Sequence, residues 1–206
     1  MNEGYMDVLR SIASSEPTPG GGSVAALSLA HAHSLSLMVA RLTLAKEKWA
    51  EGHDAAKVSI ELSEPALEEA ITLAISDSEA FESVMSAYRL PKETEDEKKQ
   101  RSEEIRNATI GAALAPLNTA SSAQKLLSNL EKQSASCNPN ALTDLASASE
   151  MALSAAKIAS LNVRINLEYI EGEDVDLLTS KISTAVEQSN KSANIVALTV
   201  NKRLGW

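Results

Sequence analysis

From Val24 to Leu44 the chain is apolar almost all the way round a helix, interrupted only by isolated Ser, Thr, His and Arg residues. A helix with no polar face is a buried helix, so this segment is expected to run through the centre of whatever the chain builds. No stretch alternates with the two-residue period of a half-buried strand, and apolar residues elsewhere recur at three and four. Composition agrees with a helical core. Hydrophobic residues make up 44% of the 206, but aromatics only 3%. A core of Ala, Leu, Ile and Val suits closely packed helices better than a sheet sandwich. The expected fold class is all-α, an up-and-down bundle of long helices forming one domain over 1–206.

Punctuation divides the chain into six helices. Tyr5 to Ala13 carries Met6, Leu9, Ile12 and Ala13 on one face and ends before Pro17. The central helix is expected from Ser23, as its N-cap, to about Trp49. A third follows Gly52 and His53 and runs to about Tyr88, with Pro65 either kinking it or starting a new helix behind Ser63. Leu90-Pro91 ends it. Thr94 and Glu97 have capping-box spacing for the fourth helix, with Glu95–Lys99 and Glu97–Arg101 pairs behind them. Pro116 falls inside that helix and should bend it. Asn138-Pro139-Asn140 breaks the chain again. A fifth helix then runs from about Ala141 to Tyr169, Gly172 closes it, and the last runs from Asp174 as N-cap to about Lys202.

Charge and cysteine count narrow the function classes. A net charge of -9 argues against nucleic acid as the main partner. Cys137 is the only cysteine, so an intramolecular disulfide and a cysteine-rich zinc site are both excluded. His31 and His33 are two apart and point to different helix faces, so they form no shared metal site. The N-terminus lacks the pattern of a secretory signal, and Arg41, Lys46 and the two histidines interrupt the most apolar run. The expected setting is cytoplasmic, with no membrane and no metal.

The chemistry-bearing stretch is Pro17-Thr18-Pro19-Gly20-Gly21-Gly22-Ser23, directly before the central helix. Three glycines allow close backbone approach, and a helix N-terminus offers unpaired N–H groups and partial positive charge. The stretch reads either as a cradle for an anion or an electron-rich ring, or as a stiff connector capped by Ser23. No Lys-Ser/Thr follows the glycines and no strand precedes them, which excludes a nucleotide phosphate loop. Two carboxylates stand out: Asp77 in the third helix, and Asp144 in the first turn of the fifth. Asn162 and Asn166 share a face further along the fifth helix. Asp144 and Asn162 lie about 27 Å apart along a straight helix, so one subunit cannot bring both to one small site. The basic candidates are Arg41, Lys46, Lys48 and Lys92, of which Lys46 and Lys48 end the second helix, where cations suit the dipole anyway.

Together these segments resemble the formiminotetrahydrofolate cyclodeaminase / methenyltetrahydrofolate cyclohydrolase family. The resemblance rests on Pro17–Leu27, Met38–Leu44 with Lys46, Asp77 with Ala80-Phe81, Leu90-Pro91-Lys92 and Ala115-Pro116-Leu117. It continues through Asn138 with Asp144-Leu145, and Asn162-Val163 with Asn166-Leu167. It implies an all-helical fold that dimerises, a tetrahydrofolate derivative as substrate, and no cofactor or metal. The implied reaction is cyclodeamination of 5-formiminotetrahydrofolate or hydrolysis of 5,10-methenyltetrahydrofolate. On that reading Asp144 or Asp77 transfers the proton. Gly20, Gly21, Gly22 and Ser23 bind the pterin or a carboxylate, Lys46 and Lys92 meet the glutamate tail, and Asn138 and Asn162 complete the binding set. The family's second helix is richer in Gly and Ala where this chain has Leu29, His31 and His33, whose bulk would narrow a pocket or alter a subunit seam. The competing class is a non-catalytic ligand-binding or assembly protein that keeps the bundle.

Overall fold

The computed structural model describes residues 3–206, and among them there are six α-helices, two short 3-10 segments and no strand. The helices are α1 (Glu3–Ile12), α2 (Gly21–Leu44), α3 (His53–Tyr88), α4 (Glu95–Ser136), α5 (Leu142–Leu167) and α6 (Glu173–Leu204). The four corners of the bundle are α2, α3, α4 and α5, each packed on its chain neighbour, with α2 also against α5. α6 closes the outer side of α4 and α5. α2 is the buried centre, as its patterning requires. Its hydropathy and length would suit a membrane span, contrary to the reading from its interrupting charges, but 61% of that window is buried inside the bundle.

Small side chains make the packing. Ala25, Ala26, Ala32 and Ala40 of α2 and Ala148, Ala152, Ala155, Ala156 and Ala159 of α5 are fully buried, with Leu29, Leu126, Leu127, Leu130, Leu142 and Leu145 filling between helices. Register is pinned by polar groups. Gln133 of α4 accepts from the Ser36 hydroxyl at 3.1 Å and donates to the Ser36 carbonyl at 3.1 Å. Such buried, satisfied pairs fix one helix against another because any slip would leave them unpaired.

Several helix ends differ from expectation. α2 begins at Gly21 with Gly20 as its N-cap, so Ser23 lies inside the first turn. It stops at Leu44, and Trp49 lies in the 3-10 segment Glu47–Gly52. Gly52 explains that sharp corner: a Cβ there would run into the Ser136 carbonyl at the end of α4. α6 starts at Glu173 with Gly172, at φ 135°, as its N-cap. Asp174 is instead gripped by the Arg106 guanidinium, with bonds of 2.7 and 3.0 Å. The Thr94–Glu97 capping box is present. Glu95 pairs with Lys98 rather than Lys99, and Arg101 donates to the Tyr88 carbonyl instead of meeting Glu97. Pro65 starts no new helix, because α3 continues through it.

Candidate functional site

The N-terminus of α2 needs help. Its cap residue Gly20 has no side chain, and its first turn contains no acidic residue to meet the unpaired amides and the positive end of the dipole. α3 supplies what is missing. Asp77 reaches across and accepts the Ser23 hydroxyl at 3.0 Å, and the Ser23 backbone amide also bonds it. Ser23 Oγ lies 3.2 Å from the Ser78 hydroxyl as well. Burial pushes the Asp77 carboxyl above its ordinary value, and the two bonds from Ser23 pull partly the other way. Ser23 is therefore the partner of a carboxylate in the third helix, not the cap of its own helix.

The glycines make this approach possible. A Cβ on residue 22 would stand 2.5 Å from Asp77 Cγ, inside the carboxylate. One on residue 21 would sit in ordinary contact, 3.5 Å from the Asn162 side-chain nitrogen. A pocket of about 240 Å³ opens here, lined by Pro17, Thr18, Gly20, Gly21, Gly22, Asp77, Phe81, Val84, Ala112, Asn162 and Asn166. The Thr18-Pro19 peptide at its rim is cis. The volume lies below the roughly 300–1,000 Å³ of sites that enclose a whole drug-sized ligand, so it suits a ring with the rest of the molecule outside. A larger hollow of about 550 Å³ between α3 and α4, over Ser83, Ser86, Gln100 and Glu104, is built without the glycine loop, Asp77 or either asparagine.

Asn166 belongs to this wall for a reason written elsewhere in the chain. Pro116 has no N–H, so the carbonyl four residues back, Ala112, loses its helical partner. Asn166 Nδ2 donates to that carbonyl at 2.9 Å. The patterning places Asn162 and Asn166 on one face, but only the Pro116–Ala112 spacing signals what Asn166 is for. Phe81 falls in the Asp77–Ala80-Phe81 segment of the resemblance, while Val84 and Ala112 carry no distinguishing signal.

The other candidates lie elsewhere. The Asn138 backbone amide donates to Thr43 Oγ1 at 3.0 Å and its side chain reaches the Leu42 carbonyl, which fixes it at the far, C-terminal end of α2. Lys46 lies just beyond that same end and is exposed. Asp144 sits in the first turn of α5, 18 residues before Asn162, which is about 27 Å along the helix. Lys92 is exposed in the connection from α3 to α4 and does not line the pocket. The chain thus gathers Gly20, Gly21, Gly22, Ser23, Asp77 and Asn162, and leaves Asn138, Asp144 and Lys46 at the opposite end. Neither Leu29, His31 nor His33 lines the pocket. Leu29 and His33 are fully buried, while His31 lies exposed beside Tyr5 of α1.

Comparison with known proteins places the chain among relatives. The family model described as formiminotransferase-cyclodeaminase matches residues 5–187. A methenyltetrahydrofolate cyclohydrolase of Methylorubrum extorquens is 35% identical over 170 residues, 82% of each chain. The formimidoyltransferase-cyclodeaminase of Gallus gallus is 28% identical over 95% of this chain, which spans only 36% of that longer protein. The crystal structure of formiminotetrahydrofolate cyclodeaminase from Thermotoga maritima superposes with a TM-score of 0.86 at 26% identity, over 100% of this chain and 98% of that one.

Proposed function

The chain belongs to the formiminotransferase-cyclodeaminase family, and from that premise we propose that it is a folate one-carbon enzyme acting at the N5/N10 bridge of tetrahydrofolate. Its reaction is cyclodeamination of 5-formiminotetrahydrofolate or hydrolysis of 5,10-methenyltetrahydrofolate. Both form a tetrahedral carbon at the bridge. In the first, N10 attacks the formimino carbon, loses its proton, and ammonia departs after the nitrogen is protonated. In the second, water attacks the methenyl carbon, gives up a proton, and the bond to N5 breaks as N5 takes one.

Either route needs a group that takes a proton and returns it. The observation that carries the proposal is Asp77: a carboxylate of raised pKa, held by Ser23, in a pocket walled by the glycine loop. A positioned acid–base group of this kind contributes typically about 10²–10⁴-fold. Asp77 is the proton carrier in this reading, and the Gly20–Ser23 turn seats the pterin. Asp144 takes part only if a second subunit delivers it, since its own chain holds it at the far end of α5. Lys46, at that end too, serves a folate tail only across subunits.

Homodimerisation and a cytoplasmic setting complete the proposal. Supporting the first, α1 is amphipathic yet has no buried residue, and exposes Met6, Val8 and Leu9. Leu161 and Ile165, beside the two pocket asparagines on α5, are 63% and 59% exposed. A second copy seated on these faces would remove apolar surface from water. Light scattering reads the assembly directly, and a monomer at micromolar concentration removes that part.

The deciding experiment follows methenyltetrahydrofolate absorbance with purified protein. Absorbance rising with 5-formiminotetrahydrofolate marks a cyclodeaminase. Absorbance of methenyltetrahydrofolate falling faster than the spontaneous rate marks a cyclohydrolase. No change in either refutes the proposal and leaves a non-catalytic binding protein.

A further inference from the structure

Two side-chain amides face the pocket, and the bundle decides which end of each they present. Asn162 Nδ2 donates to the Ile158 carbonyl at 3.0 Å. Asn166 Nδ2 donates to the Ala112 carbonyl at 2.9 Å. Both partners are carbonyl oxygens, which can only accept, so neither amide can be turned round without placing oxygen against oxygen. Each asparagine therefore offers its Oδ1, and neither oxygen has a hydrogen-bond partner among the described residues. With Asp77 beside them, and Phe81 and Val84 supplying the apolar part of the wall, the side-chain oxygens left unpaired at this pocket are acceptors, while each Nδ2 keeps one further N–H. The opposing donors are the amides of Gly21 and Gly22, which by position have no intrahelical partner.

We infer that Asn162 and Asn166 form an acceptor pair that reads the N–H-bearing edge of the substrate's ring, and that Pro116 fixes its orientation by freeing the Ala112 carbonyl. This rests on the folate reading above. The aminopyrimidinone edge of a reduced pterin carries a 2-amino group beside N3–H, two donors side by side. A ring whose edge mixes donors with acceptors leaves one asparagine oxygen facing a lone pair. Half-buried acceptors that a bound ring shuts off from water and leaves unpaired give a polar site its discrimination. Asn162 and Asn166 are thus specificity-determining residues, and Pro116 is a positioning residue that touches no ligand.

The test measures binding by calorimetry, using 5-formyltetrahydrofolate and its analogue with the 2-amino group replaced by methyl. The wild-type protein is expected to favour the parent by about ten-fold or more, on the scale of one or two lost hydrogen bonds. In Asn162→Ala that preference should shrink several-fold. The Ile158 carbonyl keeps its own helical partner, so this variant should fold. Asn166→Ala alone would orphan the Ala112 carbonyl. It is therefore made together with Pro116→Ala, which restores a backbone N–H to that carbonyl, and this double variant should lose preference too. Pro116→Ala alone frees the Asn166 amide to rotate and should weaken parent binding while keeping the fold. An unchanged preference in both Asn162→Ala and the double variant, with parent binding intact, overturns the inference and leaves the folate reading standing. Equal binding of parent and analogue by a wild-type protein that turns over folate overturns it as well. A wild-type protein that neither binds the parent nor turns over either folate overturns both.

Discussion

Asp77 occupies the space that a side chain on residue 22 would need. Its carboxylate lies across the first turn of α2, where Gly22 presents only hydrogen, and from there it accepts both the hydroxyl and the amide of Ser23. One contact thereby caps a helix in trans and lodges a carboxyl group with raised pKa in the wall of a pocket. The cap and the proposed proton carrier are the same atoms, so a variant must separate the two roles.

Gly22→Ala and Gly21→Ala should part company. An added methyl at 22 meets the end of the Asp77 side chain, which can rotate away at the cost of its Ser23 bonds. At 21 the same methyl makes ordinary contact with Asn162. Denaturant midpoints should show both folded, within about 1 kcal/mol of the wild type, because replacing a helical glycine gains about that much. Turnover should fall by about 10²-fold or more in Gly22→Ala, where the proposed acid–base group is displaced, and by less in Gly21→Ala, where the methyl only narrows the proposed pterin seat.

Asp77→Asn keeps an oxygen for Ser23 and discards the titrating proton. The expected result is a folded protein with kcat down by about 10²–10⁴-fold and KM little changed. In the wild type the acid limb of the rate profile should fall at a pH above the ordinary carboxylate value, since burial raises the Asp77 pKa. Stability carries the opposite mark. A raised carboxyl pKa means the folded state binds the proton more tightly, so this group's contribution falls as pH rises through that window. The Asn variant should lose both effects.

His33 should make the protein acid-sensitive. It is fully buried, its Nδ1 lies 3.1 Å from Ser63 Oγ, and burial lowers its pKa from the ordinary 6.5 to about 4. Between those values the unfolded chain binds a proton that the folded one refuses, so stability drops as pH falls from about 6.5 to 4. The loss by pH 4.5 should be about 2–3 kcal/mol, since each tenfold difference in proton affinity between the two states is worth about 1.4 kcal/mol. Urea titrations at pH 7 and 4.5 measure it. His33→Asn should flatten the slope whatever it does to the absolute stability, and a slope that survives assigns the sensitivity to other groups.

Gly52→Ala tests close approach of a different kind. The added Cβ would strike the Ser136 carbonyl oxygen and lie 3.0 Å from Ser136 C and from Thr43 Cγ2. Backbone cannot rotate out of the way as a carboxylate can. A loss of about 1–3 kcal/mol is expected by urea denaturation. Because residue 52 lies at the opposite end of α2 from the pocket, kcat of the folded fraction should be unchanged.

The helices are legible because their causes are local. Val24–Leu44 lacks a polar face, Thr94 and Glu97 are three residues apart, and α3 ends at Tyr88, just ahead of Leu90-Pro91. The same locality explains the misplaced ends: serine is a common cap, so Ser23 reads as one, but Asp77, 54 residues away, engages it instead. The family and the glycine cradle are also present in the order of motifs. What one chain's sequence leaves open is which carboxylate accompanies the cradle. Asp77 and Asp144 each sit in a helix, and nothing within one turn of either distinguishes them. The choice depends on the antiparallel return of α3 against α2, which brings Asp77 to the start of α2, while the direction of α5 carries Asp144 to its end. Asn166 is decided in the same way, by a proline 50 residues earlier whose missing N–H leaves a carbonyl to be met from another helix. Sequence alone determined the helices and their burial. Tertiary structure decided which residues share the candidate site, because hydrogen bonds between helices depend on register and direction, which no single helix encodes.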